Sequence, residues 1–346
     1  MSMRLADESR PSQQRRSQSQ RPQLRFDLSL SENPFPPLPS VLHAVNGVLA
    51  HANRYPEFLP RRLPRLIAGH IGVHSDQVVV GSGATGVAMQ IIQALTTRGA
   101  GMVYGAPTFD GYPIMAEMAD LEVVPVPLDA AGNQDLWAMA RAIDKRTGLV
   151  VVCRPHNPTG TVIPASELKA FLCSVPRRVP VILDEAYAEF LDLTDQVDTV
   201  ALLDRHPNLL VLRTFSKAYG LAGLRIGYTF GGPDLIGRVR RLQLPFGVSS
   251  AAVAAVAASY AAEPELAARI LRITTQREVL RSALRRMHIE VPRSNANFLY
   301  LPGPGVATAL RRAGIAAKAY PDGSARIAVG DPAADNAVLA ALGSLR

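Results

Sequence analysis

The stretch "RTFSKAYGLAGLRIGY" (213–228) decides how this chain is read. A lysine, Lys217, closes an apolar run. Ser216 precedes it, and Arg225 follows eight residues later across a glycine-bearing loop. Lysine at the end of a buried strand is poorly placed as a solvated charge. It is well placed as a desolvated amine, which can act as a nucleophile and form a Schiff base. The competing reading is a lysine that snorkels to the surface. The segments around it decide between the two.

Upstream of this stretch the sequence alternates. "QVVVGSG" (77–83), "MVYGAPTF" (102–109), "EVVPVPL" (122–128), "GLVVVCRPH" (148–156), "VPVILDEAY" (179–187) and "NLLVLRTFS" (208–216) are apolar, β-branched runs that end in Gly, Pro or polar residues. Helical patterns separate most of them. With "RIGYTFGG" (225–232) they predict an α/β fold with a seven-stranded, mostly parallel sheet covered by helices on both faces. The last strand follows a short connection and is free to run antiparallel. Beyond residue 245 the texture changes to a long helical stretch (248–287), then short strands and helices. The expected organisation is a disordered basic tail (1–25), an N-terminal segment (26–60), a large ligand-binding domain (61–245) and a smaller α+β domain (246–346).

Composition narrows the function. The 346 residues are 48% hydrophobic, enough for a large core, and the net charge is +8. Six arginines against two acids in the first 25 residues supply half of that excess. No aromatic residue interleaves those arginines, so nucleic acid is not the expected partner. No apolar run approaches the roughly 18 residues of a membrane span. Two cysteines and seven histidines fall in no ligand spacing, so no metal site is expected. A cytoplasmic enzyme is the simplest reading.

In such sheets ligands bind beyond the carboxyl ends of the strands. Five of those ends carry polar or glycine chemistry. "GSGATG" (81–86) places small residues at a helix N-terminus, where backbone amides hold phosphate. Ser216 and Arg225 add a hydroxyl and a guanidinium to the same anion. Asp184 ends an apolar strand, and a buried carboxylate there needs a cationic partner. A protonated pyridine nitrogen, as in pyridoxal phosphate, is such a partner. Tyr187 and the Asn157 amide in "HNPTG" are within reach of a ring oxygen. Phe109 is placed to lie flat on the ring. Arg326, alone in the apolar strand "SARIAVG" (324–330), suits a substrate carboxylate. Each residue also has an ordinary structural role available. Their convergence carries the argument.

"HNPTG", "DEAYAEF" (184–190) and the opening stretch closely resemble the pyridoxal-phosphate-dependent aminotransferases of class I/II, which share the aspartate aminotransferase fold. "LSLSENPFPPLPS" (28–40) and "NRYPE" (53–57) resemble the histidinol-phosphate aminotransferase branch. The resemblance covers about residues 26–346. It implies Lys217 as the Schiff-base lysine and proton carrier, Asp184 on the pyridine nitrogen, and Tyr187 and Asn157 on the ring hydroxylate. It implies Phe109 on the ring face, and the backbone of Ala84 and Thr85 with Ser216 and Arg225 around the phosphate. Tyr55 would reach the phosphate in a neighbouring subunit of a homodimer. Arg326 would bind the substrate α-carboxylate, with Asn33 close by.

Lys318 in "GIAAKAY" (314–320) stands where the histidinol-phosphate enzymes carry an arginine for the substrate phosphate. A lysine keeps the charge and loses the fork. With "LPFGVSS" (244–250), this shifts the expectation to an aromatic amino donor and 2-oxoglutarate as acceptor, by a ping-pong mechanism. Histidinol phosphate as donor and an amino-acid-phosphate decarboxylase stay as alternatives. A non-enzymatic regulator is more remote, because the tail has no room for a helix-turn-helix.

Overall fold

The computed structural model describes residues 23–343. The tail expected to be disordered lies outside them, except for Gln23, Leu24 and Arg25. Arg25 is already tied down, because its backbone N–H donates to the Gly314 carbonyl at 2.8 Å. The strands in chain order are β1 (Phe26–Asp27), β2 (Val78–Ser82), β3 (Gly101–Ala106), β4 (Glu122–Pro127), β5 (Thr147–Cys153), β6 (Val181–Asp184), β7 (Leu209–Thr214), β8 (Ile226–Gly231), β9 (Phe298–Leu301), β10 (Ile315–Ala316), β11 (Lys318–Ala319) and β12 (Ala325–Ala328).

Strands β2 to β8 form one sheet in the order β2-β8-β7-β6-β5-β3-β4. β3 to β7 pair parallel, and β8 runs antiparallel to both neighbours. Strand residues alternate faces, and both faces are apolar because both are covered. Val150, Val152, Val181 and Leu183 enter the core on one side. Leu149, Val151, Ile182 and Leu210 enter the core on the other. The antiparallel β8 matters for the site. A parallel neighbour would need a long crossover, whereas β7 returns into β8 through residues 215–225 at one end of the sheet. Lys217 and Arg225 are thereby held at the same edge.

A smaller unit is built on the antiparallel sheet β11-β12-β9. Its core includes Phe298, Leu299, Ile327 and Val338. The N-terminal segment serves both units. β1 pairs parallel with β10, and Leu28 joins the smaller core. Leu38 and Val41 join the larger one.

Two details add to the sequence reading. The stretch 248–287 is two helices, Ser250–Ala261 and Glu263–Arg286. Ser249 caps the first, and Pro264 sits in the opening turn of the second, where a missing N–H costs nothing. Ala252, Ala255 and Val256 of the first helix are buried in the core of the large sheet, although they fall in the stretch assigned to the smaller unit. Among the described residues no helix is long and apolar enough to cross a membrane.

Candidate active site

A cavity of about 810 Å³ opens between the carboxyl edge of the large sheet and the smaller unit. Its floor is the end of β6. Asp184 is 8% exposed there. Its Oδ2 accepts a 2.6 Å hydrogen bond from the Tyr112 hydroxyl, and its Oδ1 accepts from the Ala186 N–H at 3.0 Å. Burial pushes this carboxyl up, and the hydrogen bonds from Tyr112 and Ala186 oppose the rise. Burial also holds the Tyr112 phenol and the Cys153 thiol well above their usual ranges, so both stay neutral.

Lys217 stands beyond the end of β7. Its Nζ donates to the Ser31 carbonyl at 2.9 Å and lies 5.6 Å from the centre of the Tyr187 ring. No carboxylate is ion-paired with it among the described residues. Tyr187 donates to the Ser31 hydroxyl at 3.1 Å and takes a long 3.5 Å contact from the Asn157 amide. Ser31 therefore ties the N-terminal segment to both the lysine and the tyrosine.

The anion corner is backbone geometry. Ala84 and Thr85 lie in the first turn of helix Gly83–Leu95 and line the cavity. Strand β8 presses against that turn at Gly227, where a Cβ would stand 2.2 Å from the Ala84 nitrogen. Arg225, in the left-handed region at φ 53°, folds its guanidinium back over Gly83, where a Cβ would meet Nη2 at 2.2 Å. Ser216 is buried, its hydroxyl accepting from Thr214 at 3.0 Å. Two glycines thus make room for an amide-and-guanidinium cradle suited to a phosphate.

The wall opposite comes from the smaller unit. Arg326 on β12 is 7% exposed. It donates to Asn157 Oδ1 at 2.7 Å and to the Ser29 carbonyl at 2.9 Å, and its Nε has no hydrogen-bond partner. It forms no ion pair among the described residues. A buried guanidinium that faces a cavity and has no paired carboxylate among the described residues suits an anionic group of a ligand. Leu30, Phe109, Met115, Ala317, Ala319 and Tyr320 add apolar surface.

Most residues singled out from the sequence line this cavity: Ala84, Thr85, Phe109, Asn157, Asp184, Tyr187, Ser216, Lys217, Arg225, Lys318 and Arg326. Two do not. Asn33 spends its amide on the carbonyls of Lys217 (3.1 Å) and Ala218 (3.0 Å), so it braces the lysine loop. Tyr55 is 83% exposed, packs its ring at a tilt against Phe246 with centres 4.6 Å apart, and does not line this chain's own cavity. Lys318 does line the cavity, but it is ion-paired with Asp110. Sequence reading missed Tyr112, Ser31 and Asp110. Tyr112 carried a weak signal, one helical turn after Phe109, at the start of helix Gly111–Met118.

These groups fit a phosphorylated pyridine aldehyde: an amine for the carbonyl, a carboxylate for the ring nitrogen, a cradle for the phosphate. The comparisons agree. The family model "Aminotransferase class I and II" matches residues 25–342. An "Aromatic amino acid aminotransferase" of Cutibacterium acnes is 46% identical over 274 residues, covering 79% of this chain and 78% of that one. One of the same description from Rhodococcus jostii is 40% identical over 317 residues, covering 90% and 88%. Among solved structures, a Sinorhizobium meliloti histidinol-phosphate aminotransferase in complex with pyridoxal-5'-phosphate superposes with a TM-score of 0.86 at 27% identity, covering 93% of this chain and 90% of that one.

The fold and the site are those of a pyridoxal-phosphate-dependent enzyme. More narrowly, the chain belongs to the class I and II aminotransferases, and it is a transaminase.

Proposed function

We propose that this transaminase takes its amino group from an aromatic amino acid and passes it to 2-oxoglutarate, and that it works as a homodimer. The observation that carries the donor assignment is the pairing of a buried, carboxylate-free Arg326 with an apolar wall of Leu30, Ala317, Ala319 and Tyr320. An α-carboxylate satisfies the guanidinium, and a ring covers the wall. The relatives described as aromatic amino acid aminotransferases support the same reading.

In this reading Lys217, Asp184, Tyr187 and Asn157 act on the cofactor. The residues at Ala84, Thr85, Ser216 and Arg225 hold its phosphate, and Phe109 covers one face of its ring. The bound cofactor supplies a carbonyl carbon that carries the amino group and a cationic ring that withdraws the electron pair of the donor's α-carbon. Asp184 keeps that ring cationic. Arg326 fixes the donor's carboxylate, which sets which α-carbon bond faces the ring system. With the cofactor bound, Lys217 Nζ would take up the donor's α-proton and hold it for return. Water would be consumed as the donor is released as its keto acid, and the second half-reaction would run the same events in reverse on the acceptor.

The dimer is supported by an exposed apolar patch whose residues do not line the cavity. Tyr55, Phe58, Leu244 and Phe246 are 83%, 60%, 67% and 41% exposed. Such patches mark association surfaces. A second copy covering it would bring Tyr55 to the neighbour's phosphate corner.

The test is transfer of a nitrogen label from L-phenylalanine to 2-oxoglutarate. Labelled glutamate with an equal amount of phenylpyruvate is expected. Labelled glutamate from histidinol phosphate alone would overturn the donor assignment. Carbon dioxide release in place of keto acid would overturn transamination.

A further inference from the structure

The acceptor and donor proposed above differ in charge where their side chains end. One ends in a carboxylate and the other in a neutral ring, yet both enter one cavity. The structure holds a device for this. β11 and β12 pair antiparallel with Lys318 directly opposite Arg326. Residues directly opposite on neighbouring strands share a face, and both line the cavity. Two cations side by side match a ligand with two carboxylates. Like charges in that arrangement repel unless one is neutralised.

Lys318 is the one neutralised. Its Nζ is ion-paired with Asp110, which reaches across from the large sheet's side of the cavity. Asp110 precedes helix Gly111–Met118 as its N-cap but makes no side-chain capping bond, so its carboxylate is spent on Lys318 instead. The pair is partly exposed, with side chains 35% and 53% accessible. It is therefore weakly held and readily exchanged. The Tyr320 ring, 5.8 Å from Nζ, supports the ammonium from the strand side.

We propose that Asp110 and Lys318 form an exchangeable pair that sets side-chain specificity, a reading that rests on the donor and acceptor assigned above. With the pair closed, the distal end of the cavity is neutral and accepts an aromatic ring. A dicarboxylate acceptor replaces Asp110 on Lys318 with its own distal carboxylate while its α-carboxylate lies on Arg326. Lys318 and Asp110 are specificity residues; neither takes part in moving the proton.

The experiment uses the holoenzyme in its aminated form and compares two acceptors, 2-oxoglutarate and phenylpyruvate, in single-turnover half-reactions. The readout is the ratio of their kcat/KM values. Lys318→Met is expected to lower the 2-oxoglutarate to phenylpyruvate ratio about tenfold or more, the scale of one charge-assisted hydrogen bond. Asp110→Asn, which leaves the lysine unpaired, is expected to raise it about three- to fivefold. The double variant is expected to behave as Lys318→Met alone, because Asp110 acts only through the lysine. Ratios within twofold of wild type in both single variants, or movement in the same direction, would overturn the proposal. In that case the aromatic donor reading survives, provided that the unaltered enzyme turns over both acceptors. Failure of the unaltered enzyme to use either would count against that reading first.

Discussion

The floor and the wall of the cavity are built differently. The floor is Asp184 with Tyr112 and Cys153 around it, all but closed to solvent and held by a 2.6 Å hydrogen bond. The distal wall is Lys318, Asp110 and Tyr320, partly open and held by an exposed ion pair. Burial makes the floor's polar groups expensive to leave unsatisfied, so their geometry is fixed. An exposed pair costs little to rearrange. The rigid part determines which cofactor chemistry is possible. The soft part determines what is processed. This division explains why the class of enzyme is plain from the fold and site while the substrate is decided by a few side chains.

The comparison can be broken at several points. The largest effect is expected at the lysine. Lys217→Ala should lower the half-reaction rate at least about 10³-fold, the scale of lost acid–base catalysis, and should abolish borohydride-trapped attachment of the cofactor. Retention of either would remove the lysine from the centre of the mechanism. Next is Arg326→Gln, which leaves Asn157 Oδ1 and the Ser29 carbonyl without their donors. A fall of about 10²-fold in kcat/KM is expected, the low end for a buried charged contact, for both donor and acceptor and with cofactor content unchanged. A loss confined to one substrate would mean that Arg326 does not bind the shared α-carboxylate.

Tyr112→Phe sharpens the view of the floor. Without the phenol, Asp184 loses a hydrogen bond that opposes the upward push of burial. The variant should bind pyridoxal phosphate about tenfold more weakly, within the 1–3 kcal/mol of an unmet buried acceptor. The pH dependence of cofactor binding should move towards higher pH. Weaker binding with no change in pH profile would assign Tyr112 to packing alone.

The smallest effect is on stability. Glu189 sits behind the site in a pocket with Glu185, Arg213, His70, Tyr219 and Tyr228, and its carboxyl is pushed by burial from 4.5 to about 7. A carboxyl raised in the fold binds a proton there that the unfolded chain has already released. Its contribution is therefore present at low pH and is lost as pH rises from about 4.5 to about 7. Glu189→Gln keeps the neutral form throughout. Its melting temperature relative to wild type should climb across that interval. A constant difference would mean that Glu189 does not titrate there.

Much of this was legible in the sequence because the deciding residues lie at strand ends. Apolar runs bounded by Gly, Pro and polar residues marked all seven strands of the large sheet. Lys217, Asp184 and Asn157 stand at or just beyond the end of such a run, and Arg225 immediately precedes one. Tyr112 and Asp110 were not legible. They follow a strand end within a helix start, and their partners are 72 and 208 residues away in the chain. The first pairing follows from how helix Gly111–Met118 packs on the large sheet and the second from how the smaller unit sits over it, and no local pattern records either. Ser31 acts partly through its backbone carbonyl, which any residue supplies. Asn33 was expected beside the substrate on the resemblance alone; its amide is engaged with the backbone carbonyls of Lys217 and Ala218.

The most direct measurement is the visible spectrum of the holoenzyme as single amino donors are added at equal concentration. L-phenylalanine should bleach the cofactor band within one turnover, and 2-oxoglutarate should restore it. Histidinol phosphate should bleach it far more slowly, because Lys318 is a point charge without the guanidinium fork that holds a phosphate from two sides. Bleaching by histidinol phosphate alone, with phenylalanine inert, would contradict the account at its centre.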